Sequence, residues 1–199
     1  RGLSSAEFKS TATFTNAAWQ VSAVGGADPN NNVWRIYEGN TGPLLLRLLT
    51  GLTLADSAVT YNGGTQQGTT TTDPRVQGSS ASGRNAGSYA SGYYSDQQGV
   101  DIIGGSLTVS KANLVLTSSD VSKTYDGGTT AASTAVATAS TTLLGGDTAT
   151  GGSFAFADKN AGTANKTVNA SGVTVNDGNG GNNYNISYID NTTSTINKA

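Results

Sequence analysis

The chain of 199 residues contains no cysteine, no histidine and no methionine. Without Cys there is no disulfide framework, no thiolate metal site and no thiol nucleophile; without His the commonest general base and metal ligand is missing. A Cys-free chain is usual in the cytosol, so the absence does not place the protein, yet it also suits an exported chain that crosses membranes unfolded without becoming cross-linked. The missing Met fits a piece of a longer protein. Charge is sparse too, at 12% of residues and a net −2, and there are only three Pro. The longest apolar run, residues 43–49, is too short to span a bilayer and is interrupted by Arg47. No basic patch interleaves with aromatics, and the acidic balance argues against a nucleic-acid partner.

What fills the chain instead is Gly, Ser, Thr and Asn, with 35% hydrophobic residues. A disordered chain would carry more charge and more Pro. Thr with Val, Ile and Tyr suits half-buried strands, and Asn-Gly or Asp-Gly suits the turns between them, so the composition predicts an all-β fold. The text also repeats itself. Thr60-Tyr61-Asn62-Gly63-Gly64-Thr65 returns as Thr124-Tyr125-Asp126-Gly127-Gly128-Thr129, and Asn85-Ala86-Gly87-Ser88 returns as Asn160-Ala161-Gly162-Thr163. A closing phrase, Ser106-Leu107-Thr108-Val109-Ser110-Lys111-Ala112, returns as Thr193-Ser194-Thr195-Ile196-Asn197-Lys198-Ala199. The offset grows from 64 to 75 to 87 residues, so the second copy is the longer, its extra residues inserted between shared strands where loops tolerate them. Modules duplicated in series build extended stalks; enzymes seldom need them.

Three parts are expected: a cap segment over residues 1–52, then β modules over 53–112 and 113–199. The first part holds both Trp and both Glu. There, Ser4-Ser5-Ala6-Glu7 has capping-box spacing and predicts a short helix, and Pro43 followed by Leu44-Leu45-Leu46-Arg47-Leu48-Leu49 predicts a second one that Gly51 ends. Val33-Trp34-Arg35-Ile36-Tyr37 reads as a strand, and residues 66–72 as a mobile loop. Leu114-Val115-Leu116 reads as a strand buried on both faces.

Few residues point to chemistry. Asn176-Asp177-Gly178-Asn179-Gly180-Gly181-Asn182 is the best place for a calcium ion, but it fits neither the EF-hand spacing nor a tandem nonapeptide repeat, and one carboxylate is a poor cage. No cofactor is therefore expected. The Asp residues are scattered through turns rather than paired as a glycosidase requires, and no Gly-Gly pair is followed by the helix and Lys-Ser/Thr of a phosphate loop, so no enzyme activity is expected. Tyr61 and Tyr125 have two readings: surface rings that stack on sugars, or plugs of each module's core whose hydroxyl satisfies a loop. The structural reading is favoured, and with it a framework role for Gly63, Asn85, Gly87, Asp126, Gly127, Asn160 and Gly162. Tyr89, Tyr93 and Tyr94 are the candidate ligand-contact aromatics. Lys159-Asn160 beside Asp158 has the residue types of a spontaneous isopeptide bond, against which a solvated turn is the simpler reading. Four Asn-X-Ser/Thr sequons, at Asn165, Asn169, Asn185 and Asn191, all lie in the second module.

Two groups of residues resemble known families. Gly2-Leu3-Ser4-Ser5-Ala6-Glu7-Phe8 and Val33-Trp34-Arg35-Ile36-Tyr37-Glu38-Gly39-Asn40-Thr41-Gly42-Pro43-Leu44-Leu45 resemble the stretch that closes the β-helix in filamentous-haemagglutinin-like adhesins of Gram-negative bacteria. Lys123-Thr124-Tyr125-Asp126-Gly127 with Asp158-Lys159-Asn160-Ala161-Gly162-Thr163 resembles their YDG module, and the first copy resembles the shorter MBG-type module, with Asn62 where the pattern has Asp. The resemblance implies a large exoprotein exported with an outer-membrane partner by two-partner secretion, displayed at the cell surface, and engaging host-cell or matrix glycans in attachment or biofilm. It implies no enzyme activity, and the two modules are expected to be β-grasp-like or sandwich-like. The competing reading is a carbohydrate- or matrix-binding module with a defined pocket.

Overall fold

The computed structural model describes residues 2–199 and is mainly β, with two short helices, one 3-10 turn and several small sheets. It divides into two compact units: one of residues 2–59, 65–83 and 87–108, the other of residues 60–64, 84–86 and 109–199.

In the first unit the helix Ser5–Phe8 is set by the capping box read in the sequence: the Glu7 amide donates to Ser4 Oγ at 3.2 Å, and the Ser4 amide donates to Glu7 Oε2 at 2.7 Å. Two amides without helical partners are satisfied reciprocally. A second helix, Thr11–Thr15, follows. Residues 43–49 are not α-helical. Leu44–Leu45 pairs antiparallel with Trp34–Arg35, and Leu46–Leu48 closes into a single 3-10 turn. Burial explains the difference: Leu44 and Leu46 are buried while Leu45 between them is exposed, an alternation that an α-helix, which sets residues two apart on opposite sides, cannot serve. A six-residue run is also too short to nucleate a helix by itself. Gln66–Gln67, read in the sequence as part of a loop, pairs antiparallel with Ser82–Gly83. The core gathers Tyr37, Leu44, Leu54, Val100 and Ile102, with Tyr93 and Tyr94 packed against it.

The second unit has a sheet of Ser122–Thr124, Asn191–Asn197, Gly162–Asn176 and Thr148–Phe156, in that order, and another of Ala135–Ala137, Ala112–Ser118 and Tyr184–Tyr188. Leu114 and Leu116 are fully buried while Val115 is half-buried, so the central strand of the smaller sheet is covered more on one face than the other. Val121, Ala131, Phe156, Val168 and Ile196 form the core.

The strand pairings repeat as the sequence does. Thr50–Leu54 lies parallel to Val100–Gly104, as Ala112–Ser118 lies parallel to Tyr184–Tyr188. Leu107–Ser110 sits between Ser57–Thr60 and Gly87–Tyr89, as Asn191–Asn197 sits between Ser122–Thr124 and Gly162–Asn176. One topology is used twice: the opening strand runs beside the penultimate one, and the second strand beside the last.

Candidate functional site

A buried polar cluster of the second unit is built on a tight turn. Gly145 and Gly146 have φ of +61° and +84°, and the Asp147 amide donates to Leu144 O at 3.0 Å, so Asp147 ends a hairpin-type turn. Its carboxylate, with only 4% of the side chain exposed, receives two phenols at one oxygen: Tyr184 Oη donates to Oδ2 at 2.7 Å and Tyr61 Oη at 2.9 Å. The two rings meet edge to face with centroids 5.4 Å apart. Tyr184 Oη also accepts the Leu144 amide at 2.8 Å. Arg84 completes the cluster: Nε donates to Gly63 O at 2.9 Å, and Nη2 lies 3.5 Å from Asp147 Oδ1. Gly63 and Gly145 touch backbone to backbone, and a Cβ on Gly63 would lie 2.4 Å from Gly145 Cα. Only glycine fits there.

Next to this cluster the loop weighed for calcium is filled from within. Asp177, almost fully buried, accepts amides from Asn179 at 2.7 Å, Gly181 at 2.8 Å and Asn183 at 2.9 Å. Burial alone would raise its carboxyl; the three amides overcome this and hold it below the usual carboxylate range. Amide donors surround this carboxylate, the reverse of the oxygen cage that a cation needs. Asn183, fully buried, donates through Nδ2 to Asn85 Oδ1 at 3.1 Å and accepts the Ala86 amide at 2.8 Å.

Burial, and then the Asp147 carboxylate, push Tyr61 above the ordinary phenol range; burial likewise pushes Tyr184 up. Both hydroxyls are therefore protonated donors. A phenol whose folded pKa is raised stabilises the fold below about pH 10, and that stability is lost as pH rises through the unfolded value toward the folded one. The melting temperature is expected to hold to about pH 9 and to fall above about pH 10. In a Tyr61→Phe/Tyr184→Phe chain the alkaline fall should be shallower. An unchanged alkaline limb in that double variant would contradict the assignment.

The repeat-motif residues have different fates. Tyr61 is 2% exposed, whereas Tyr125 is 41% exposed. Both turns are nonetheless built alike, with Asn62 Oδ1 accepting the Gly64 amide and Asp126 Oδ1 the Gly128 amide, each at 2.9 Å. Gly87 opens the strand Gly87–Tyr89, and Gly162 opens Gly162–Asn176. Asn160 is exposed, and its amide donates to Asp158 Oδ1 at 2.8 Å. Asp158 also pairs with Lys166, whose Nζ lies 2.6 Å from Oδ2, rather than with Lys159.

Tyr89, Tyr93 and Tyr94 belong to the first unit and are held differently. The Tyr89 ring covers Gly83, and the Tyr94 backbone forms a two-way bridge to Gln77. Tyr93 lines an open groove, together with Arg35, Tyr37, Glu38 and Asn40. Beneath that groove Arg35 and Asp101 form a buried ion pair, Nε to Oδ1 at 3.1 Å.

Of the sequons, Asn165, Asn169 and Asn185 are exposed, while Asn191 is half-buried. Asn191 Nδ2 donates to Asp120 Oδ1 at 2.7 Å, and its Oδ1 accepts Ser194 Oγ at 2.9 Å. Treatment of the folded chain with an asparagine glycosyltransferase is expected to modify Asn165 and to leave Asn191 bare. Peptide mass spectrometry reads the occupancy, and full modification of Asn191 would contradict the placement.

Fold and site together define a mainly-β protein of repeated modules whose polar clusters are closed by internal partners. Residues 109–195 match the family described as the YDG domain, so the second module is a YDG domain. No curated protein and no solved structure matches the chain. Among the described residues no helix is long and apolar enough to cross a membrane, which says nothing of spanning by strands.

Proposed function

We propose that the chain is a non-catalytic structural and adhesive part of a large secreted bacterial surface exoprotein, its modules acting as stalk or spacer. The observation that carries this reading is the twice-used topology. In each copy the opening strand runs parallel to the penultimate one, and the second strand runs alongside the last. In the YDG module both pairs are parallel. Tension applied through a module's two ends loads parallel pairs in shear, so that all the hydrogen bonds of a pair must yield together. The YDG domain supports the resemblance to filamentous-haemagglutinin-like adhesins. On this reading the full-length protein leaves a Gram-negative cell through an outer-membrane secretion partner and remains at the surface. Weak contacts to host-cell or matrix glycans sum along the fibre.

The groove lined by Tyr93, Glu38 and Asn40 favours a second reading, a carbohydrate-binding module, because it sets an aromatic ring beside a carboxylate and an amide. A glycan array with the folded chain separates the two. The spacer reading predicts no selective binding; a selective signal that Tyr93→Ala abolishes would replace it with the carbohydrate-binding one.

A further inference from the structure

The second unit contains two short pieces of the first repeat, residues 60–64 and 84–86, seated on its YDG domain. Tyr61 enters the cradle of Leu144, Gly145, Asp147 and Tyr184, Arg84 reaches Asp147, and Asn85 with Ala86 engages Asn183. Each of these residues has a counterpart in the second repeat: Tyr125 for Tyr61, Lys159 for Arg84, Asn160 for Asn85 and Ala161 for Ala86. The backbone of the counterpart turn is held in the same way. The Tyr61 amide donates to Ser110 O at 2.8 Å, and the Tyr125 amide donates to Asn197 O at 2.8 Å, Ser110 and Asn197 being equivalent in the repeated closing phrase. Gly63 and Gly127 share one conformation, with φ of +82° and +80°.

What differs is the surroundings. A Cβ on Gly63 would strike Gly145, whereas one on Gly127 would meet nothing within 4 Å. Tyr125, Lys159, Asn160 and Ala161 are all exposed. The large aromatic that is buried in the first copy, and the cation and amide that there reach Asp147 and Asn183, thus have exposed counterparts in the second.

We propose that the face formed by Tyr125, Gly127, Lys159 and Asn160 is a docking surface for a further YDG domain, whose own Asp147–Tyr184 cradle receives Tyr125 as this one receives Tyr61. The partner is a second module of the same kind. Its Asp147 counterpart supplies the carboxylate that accepts the Tyr125 hydroxyl and faces the Lys159 ammonium, and its Gly145 counterpart packs on Gly127. The contact is head to tail, so it propagates along a tandem array instead of closing on itself. It rests on the duplicated topology and not on the adhesive role, so a failure of either leaves the other standing.

The test is a chain of residues 1–199 followed directly by a second copy of residues 113–199, which places the added cradle after Ala199 as residues 113–199 follow Ala112. Hydrogen exchange of the amides of residues 125–129 is expected to slow at least about tenfold relative to the 199-residue chain. Tyr125→Ala in the first copy, or alanine at the added copy's counterpart of Asp147, is expected to remove that protection elsewhere in the turn. Unchanged exchange with the added copy folded would overturn the proposal. If the added copy does not fold, the 199-residue chain with Tyr61→Ala decides instead. Its emptied cradle is expected to draw Tyr125 from another molecule and give concentration-dependent oligomers that a further Tyr125→Ala abolishes. A folded Tyr61→Ala chain that sediments as a monomer at every concentration would overturn the proposal.

Discussion

An Asp147→Ala chain is expected to melt about 15 °C below the wild type, the loss falling on the unit that contains the YDG domain. The carboxylate receives two phenolic hydroxyls at 2.7 and 2.9 Å and faces Arg84 at 3.5 Å, with 4% of its side chain exposed. A hydrogen bond to a charged acceptor contributes about 1.5–3 kcal/mol when its loss leaves a buried partner unpaired. Losing two of them, with both hydroxyls stranded, costs about 3–4 kcal/mol. Arg84 adds little, because 42% of its side chain is exposed. Tyr184→Phe alone should cost about 1–2 kcal/mol, and adding it to Asp147→Ala should cost less than the two single losses summed, since both remove the same bond. Denaturant unfolding of the four chains closes the cycle. Strict additivity would mean that the cluster is not coupled.

The second large effect belongs to the other unit. Asp101→Ala is expected to destabilise it by about 3–5 kcal/mol, because the Arg35 guanidinium would be left charged and buried. Asp101 Oδ1 accepts Arg35 Nε at 3.1 Å, while Oδ2 accepts the Gly26 amide at 2.8 Å. Arg35 in turn donates through Nη1 to Ile36 O at 2.6 Å and lies 4.0 Å above the Tyr37 ring. Tyr37 ties the same strand, donating to Val100 O at 2.6 Å and accepting the Ile102 amide at 3.0 Å. The pair sits where a side chain reaches across the fold, so removing one member is worse than replacing both. Arg35→Met with Asp101→Leu should recover most of the stability, the Gly26 amide losing its acceptor and the Ile36 carbonyl its Arg35 donor. A single Asp101→Ala loss below about 1 kcal/mol in chemical denaturation would contradict the buried-pair account.

The parts of this fold that depend on near neighbours in sequence were readable from it. Ser4 and Glu7 announced their capping box, and the Asn62-Gly63 and Asp126-Gly127 turns form where the repeated text put them. Residues 43–49 were misleading because a leucine run carries the same letters for helix and strand. Antiparallel pairing with Trp34–Arg35, a tertiary fact, decided it. The cradle was not legible for a related reason. Asp147 stands in a Gly-Gly turn like several others in the chain, 86 residues from Tyr61, and nothing local distinguishes it. Nor could the repeat reveal that Tyr61 would be covered and Tyr125 bare, because that depends on which residues lie opposite each turn. One signal was present: Arg84 and Lys159 both precede the repeated Asn-Ala-Gly, a basic residue held at one place in both copies.

Stretching single molecules by their two ends tests the stalk reading most directly. Two copies of a fold with their terminal strands paired lengthwise should give two discrete ruptures, releasing about 350 Å for the unit that ends at residue 108 and about 300 Å for the one that follows it. Smooth extension without ruptures would mean that these pairings bear no load, and would contradict a mechanical role for the repeated topology.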